Sequence, residues 1–132
     1  MADGKNIDIL VFDDQFDLHC IQLLKDKGYS VDLISNPKEH MKICETKARV
    51  ILLGQELDFA MKGVGFANAI RSFDDKKYYI HVFSNDADKE YPAASTYSWK
   101  ELMNSHTIDS YSNRDPDNFK LYLKNIEDAL RN

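Results

Sequence analysis

Two adjacent carboxylates, Asp13 and Asp14, stand where the apolar run Asn6–Phe12 (NIDILVF) stops. Side by side they can offer oxygens to a hard cation, or sit in the first turn of a helix and interact favourably with its positive amino-terminal dipole. A second apolar run, Ala48–Leu53 (ARVILL), ends differently, at Gly54 and Gln55, neither of which is a nucleophile; the acids Glu56 and Asp58 follow only beyond the run. An aspartate at position 54 or 55 would add a further carboxylate to the pair at 13 and 14, and crowded like charges are destabilising unless a metal neutralises them. His19, His40 and His106 show no metal-ligand spacing and read as surface residues, whereas His81, inside an apolar run, reads as a packed core histidine with a hydrogen bond. Cys20 and Cys44 stand outside any CxxC or Cys/His cluster, which argues against a zinc site or disulfide framework and for packed thiols. The stretch DDQFDLH after the first run is acidic where a phosphate-cradling loop is rich in glycine and hydroxyls, which counts against a flavodoxin-like cofactor binder.

These residues are positioned by a regular alternation of elements. Asn6–Phe12 reads as a buried strand. Gln15–Lys27 carries Phe16, Cys20, Leu23 and Leu24 at helical spacing and stops at Gly28. Tyr29–Ile34 alternates like a strand nearer the sheet edge. Ser35-Asn36-Pro37 starts a second helix that runs to Thr46, since a capping residue precedes proline in the first turn. Ala48–Leu53 is the third strand, followed by a loop over 54–62. Gly63–Phe73 is the third helix, with Val64, Ala67, Ile70 and Phe73 on one stripe, and Lys77–Phe83 the fourth strand. Ser84–Ser98 reads as a long mobile loop, Trp99–Asn104 as a short helix and Thr107–Tyr111 as a weak fifth strand. Asp115-Pro116 then opens a fifth helix whose stripe is Phe119, Tyr122, Leu123, Ile126 and Leu130.

Alternating strands and helices predict a three-layer α/β fold, a doubly wound parallel sheet with helices on both faces, because parallel neighbours need a crossover between them. In such sheets the functional crevice opens at the carboxyl ends of the strands. Those ends are Asp13-Asp14, Gly54-Gln55, Ser84-Asn85 and the residues after Tyr111. If helices one and two flank opposite faces, Cys20 and Cys44 cannot meet.

The 132 residues suit one domain spanning 1–132, long enough to bury roughly two thirds of the unfolded surface. Hydrophobic residues at 43% and charged residues at 30% exclude disorder and membrane insertion as fits, and no apolar run approaches a spanning helix. The opening MADGKN does not match a signal peptide, so a cytoplasmic address is expected. A net charge of −5 with 17 scattered Lys and Arg argues against direct nucleic-acid binding and favours protein partners.

With the four strand ends aligned, the chain resembles the receiver domain of bacterial response regulators, the CheY-like fold with strand order 2-1-3-4-5, over essentially its whole length. ILVFDD resembles the family's acidic pair after strand one, which helps to hold magnesium. VILLGQELDF and KGVGFANAIR resemble the third strand, active loop and third helix, with Gly63 and Arg71 at familiar spacing. Ser84 after YIHVF falls on the hydroxyl position that contacts the phosphoryl group, and Tyr111 on the aromatic of strand five that changes rotamer on switching.

The departures carry as much weight. Where the family has its phosphoacceptor aspartate this chain has Gly54 with Gln55 next. The family's lysine, followed by a cis-proline, is replaced: counting from Tyr111 puts Arg114 at its position, and counting back from Asp115 puts Ser112 there. The 54–63 loop and the lead into the fourth helix are longer than usual. Phosphotransfer to a receiver needs an aspartate oxygen as nucleophile, magnesium on the phosphoryl oxygens and a lysine pairing with the product. Without the acceptor, the resemblance implies a degenerate pseudo-receiver that is no enzyme and signals by protein association. Any magnesium binding at Asp13 and Asp14 is weak, since two carboxylates leave most positions to water. The rival readings are a working receiver using Glu56 or Asp58 as acceptor, and a flavodoxin-like cofactor binder. Tyr91, Tyr97, Trp99 and Met103 cluster around the loop and fourth helix, which in receivers belong to a partner and homodimer face with strand five and helix five; aromatics and methionine are enriched at interface cores. Trp99 and Met103 equally suit anchors of an amphipathic helix.

Overall fold

The computed structural model describes residues 8–13, 18–34, 48–55, 62–74, 78–113 and 115–131. Within them the strands are β1 (Ile9–Phe12), β2 (Val31–Ile34), β3 (Val50–Gly54), β4 (Tyr79–Phe83) and β5 (Ser110–Ser112). The helices are α1 (Leu18–Asp26), α2 (Gly63–Asp74), α3 (Trp99–Asn104), α4 (Pro116–Phe119) and α5 (Leu123–Arg131), the last two joined by a 3-10 turn at Lys120–Tyr122. The expected second helix, Pro37–Thr46, with His40 and Cys44, lies outside the described residues.

All strand pairs are parallel and the sheet order is β2-β1-β3-β4-β5, as expected. Strands β1 and β3 are buried at every residue, the pattern of parallel strands covered on both faces. Alternate side chains feed two cores. Leu10, Phe12, Ile51, Leu53, Ile80 and Val82 pack with Phe66, Ala67 and Ile70 of α2 and with Trp99 and Leu102 of α3. On the other face Ile9, Val11, Val50, Leu52 and Phe83 meet Cys20 and Leu24 of α1, and Phe119, Leu123 and Ile126 of the carboxyl-terminal helices.

Local chemistry sets the boundaries. Gly28 takes the left-handed φ of 91° that ends α1, as read from sequence. The Asp115 carboxylate accepts the Asp117 N–H at 2.9 Å, capping a helix with proline in its first turn. Several strand limits differ from expectation. Asp8 precedes β1 rather than belonging to it: its carboxylate accepts the Ser30 N–H at 2.9 Å while its own N–H donates to Ser30 Oγ at 2.9 Å, a polar clasp before the pairing begins. Strands β2 and β4 begin later than expected, at Val31 and Tyr79, and β3 extends to Gly54. The fifth strand is Ser110–Ser112 instead of Thr107–Tyr111. The N–H groups of Thr107 and Ile108 donate to the Leu102 carbonyl (3.0 and 3.3 Å), closing α3 instead of extending the sheet. Among the described residues no helix is long and apolar enough to cross a membrane.

Candidate functional site at the strand ends

The pairing Phe12 with Leu53 makes Asp13 level with Gly54, and Gly54 with Phe83 makes Gln55 level with Ser84. Asp13 is 2% exposed and its carboxyl group lies directly over the Gly54 Cα. A β-carbon at position 54 would collide with Asp13 Oδ1 and Cγ and stand 2.9 Å from Oδ2. Gly63 is bare for a related reason: its N–H donates to the Gln55 carbonyl at 3.2 Å, and a β-carbon there would meet the Gly54 carbonyl and the Gln55 Cα. Glycines at 54 and 63 let the ends of β1 and β3 and the start of α2 approach more closely than side chains allow. The reason read from sequence for an uncharged position 54, avoidance of an acidic cluster, therefore gives way to a steric one. Gly54→Ala is expected to cost about 1–3 kcal/mol, the range for overpacking. Urea unfolding checks this, and in an Asp13→Ala background the cost of Gly54→Ala should shrink.

Gln55 is completely buried. Its N–H donates to the Phe83 carbonyl at 2.8 Å, its Oε1 accepts the Val64 N–H at 2.7 Å, and its Nε2 donates to the Ala93 carbonyl at 2.6 Å. One neutral amide thus satisfies an otherwise orphaned donor in the first turn of α2 and clasps the 84–98 loop. Ala94, the next residue in that loop, is held at a φ of 59°. The loop, read from sequence as mobile, is fastened elsewhere too: Ser84 Oγ accepts the Asp86 N–H at 3.0 Å, and the Trp99 N–H donates to the Glu90 carbonyl at 3.0 Å. Ser84 is buried and its N–H donates to the Ser112 carbonyl at 2.9 Å.

The aromatic cluster divides. Trp99 is 2% exposed, its ring stacks on Tyr111 with centroids 4.2 Å apart, and its indole N–H donates to the Asp86 carbonyl at 3.1 Å. The expectation that Trp99 belongs to a partner surface is overturned, because stacking and hydrogen bonding commit both its face and its edge to the interior. Met103 and Tyr111 are half-buried against the same core. Tyr91 and Tyr97 do reach solvent, at 45% and 61% exposure. Helix α3 is set by a reciprocal cap: Ser98 Oγ accepts the Glu101 N–H at 3.1 Å, and the Glu101 carboxylate accepts the Ser98 N–H at 3.0 Å. The hydrogen bond from the Ser98 N–H, with the Ser98 side chain beside it, holds the Glu101 carboxyl below its ordinary pKa. Beside this helix a cleft of about 840 Å³ opens towards α2, lined by Lys62, Asn68, Ala94, Tyr97, Glu101 and Thr107.

His81 is the core histidine the sequence led us to expect. It is fully buried, touches the hydroxyls of Ser110 (2.6 Å) and Ser112 (2.8 Å) and lies against Phe83, Phe119 and Tyr122. Burial lowers its pKa to about 3, so the ring is neutral at physiological pH.

Asp14, Glu56, Asp58 and Arg114 lie outside the described residues. Among the described residues no three His, Cys, Asp or Glu side chains converge on a metal-sized site. Asp13 is packed on Gly54 and the Gln55 oxygen is committed to Val64. The role of Gln55 was missed from sequence because one buried amide leaves no periodic signal. The Ser98-x-x-Glu101 cap was legible as a motif and went unread.

No family model matches the sequence, and neither does any curated protein. Solved structures do resemble it. The Vibrio cholerae chemotaxis protein CheY4 is 18% identical with a TM-score of 0.67, covering 92% of this chain and 99% of that one. The Thermotoga maritima response regulator TrrA, solved with magnesium and BeF, is 21% identical with a TM-score of 0.69, covering 93% and 98%. A two-component response regulator from Clostridium difficile is 22% identical with a TM-score of 0.64, covering 96% and 97%. At these identities the likeness is one of fold, and the fold is that of CheY.

Proposed function

We propose that this chain is a receiver-type domain of a bacterial two-component signalling system, cytoplasmic, acting by protein association without taking up a phosphoryl group and without catalysis of its own. The observation that carries this reading is Gln55. It follows directly on the third strand, level with Ser84, at one of the two positions, 54 and 55, where a receiver's acceptor carboxylate would stand, and its amide is engaged on both sides. Phosphoryl capture there requires an oxygen nucleophile, which an amide hydrogen-bonded through both Oε1 and Nε2 does not supply. The clasp makes the crevice an internal joint, and association falls to the outer surface. Tyr91 and Tyr97, exposed beside α3, are the side chains best suited to a protein contact there.

The test is intact-mass spectrometry after incubation with acetyl phosphate and magnesium. No phosphoryl mass is expected. A stoichiometric adduct would sink the reading, and its loss on replacing Glu56 or Asp58 by alanine would make the chain a receiver with a displaced acceptor.

A further inference from the structure

Between β4, β5 and α5 runs a line of side chains whose protons can be assigned one by one. Ser112 Oγ donates its single proton to the Asn113 carbonyl at 3.0 Å, because a carbonyl can only accept. Its contact with His81 Nε2 at 2.8 Å must then be donated by the imidazole. A neutral imidazole carries one N–H, so Nδ1 is bare and accepts from Ser110 Oγ at 2.6 Å. With the Ser110 proton so engaged, Tyr79 must donate to Ser110 across 2.8 Å. Tyr79 keeps its proton, burial holding its pKa above the ordinary 10, with the Asn125 side chain of α5 among the groups that act on its hydroxyl. Every link points the same way, from Tyr79, beside exposed Asn125 on α5, to the Asn113 carbonyl at the crevice end of β5.

The same five groups allow one other complete arrangement, with every proton reversed. Tyr79 then donates outward, Ser110 to Tyr79, His81 Nδ1–H to Ser110 and Ser112 to Nε2, releasing the Asn113 carbonyl. Mixed arrangements leave a buried group unpaired or the ring charged, each costly in a dry core. We propose that this line is a two-state hydrogen-bond relay, in which a partner presenting an acceptor such as a carboxylate to Tyr79 at the α5 surface reverses every link and frees the Asn113 carbonyl at the crevice. The relay is independent of whether the chain takes up a phosphoryl group.

The experiment is nitrogen-15 NMR of the His81 ring at neutral pH. Wild type is expected to carry the proton on Nε2. Asn125→Asp, on the exposed helix face, can only accept at that position; the proton should move to Nδ1 and the shift difference between the two ring nitrogens should invert. In Tyr79→Phe/Asn125→Asp the connection is cut, and the proton should stay on Nε2. A bare Nε2 in wild type, an unmoved proton in Asn125→Asp, or a moved one in the double variant overturns the relay.

Discussion

Lowering the pH from 6.5 towards 3 is expected to remove about 5 kcal/mol of folding stability through His81 alone, or about 1.4 kcal/mol for each pH unit. The folded ring has its pKa lowered to about 3 by burial, against 6.5 when unfolded. Between those values the unfolded chain binds a proton that the native chain refuses, so acid favours unfolding. Above pH 6.5 both states are neutral and the contribution is level. A carboxylate with a depressed pKa loses stability in the same acid direction, so the total slope does not single out the histidine. The difference between wild type and His81→Gln does, because the glutamine amide is uncharged and has a donor and an acceptor for the two serines. Urea unfolding at several pH values should show the two proteins converging as pH falls. Parallel curves below pH 6 would contradict the buried, neutral assignment.

Arg71→Met is expected to cost about 3 kcal/mol at neutral pH. Arg71, in the last turn of α2, contacts Asp109 Oδ2 through Nη2 at 2.6 Å, donates to the Tyr78 carbonyl through Nη1 at 2.7 Å and reaches the Thr107 carbonyl through Nε at 3.4 Å. Asp109 Oδ2 also accepts the Ile80 N–H at 2.8 Å, so one carboxylate ties the helix to both β4 and the lead into β5. Breaking a buried pair costs about 3–5 kcal/mol because the surviving charge is left without its partner. The lower end applies here, since the Arg71 and Asp109 side chains are 11% and 28% exposed and water reaches the acid. Methionine preserves the apolar stem, which confines the loss to the guanidinium bonds. Adding Asp109→Asn removes the stranded charge and should restore part of the stability in a double-mutant cycle. Strict additivity would show that the pair is not coupled.

The sheet order, the glycine stop at Gly28 and the Asp115-Pro116 start were legible because they rest on local rules: apolar runs, a residue tolerant of positive φ, a carboxylate before a proline. Thr107–Asp109 looked like strand by composition, but their backbone N–H groups and the Asp109 carboxylate answer to α3, β4 and Arg71, partners distant in sequence or invisible to a period-two pattern. Glycine at 54 was readable as a missing nucleophile and not as a neighbour of the Asp13 carboxyl, since a steric contact between two strand ends depends on register. Trp99 was ambiguous for a similar reason, as an aromatic residue suits an interface and a core alike until its stacking partner Tyr111 is known. Gln55 lay in plain view. Only the arrival of Val64 and Ala93 from elsewhere in the chain gives its amide a purpose.

Trp99 is the chain's one tryptophan, and its ring lies flat on Tyr111 while its indole proton is held by the 84–98 loop. The molecule therefore contains its own optical reporter at the junction of fifth strand, loop and helix. A ligand that pulls these apart would shift the emission colour and lifetime of a single fluorophore, with no dye attached, and a ligand seated elsewhere would leave the spectrum dark to its presence.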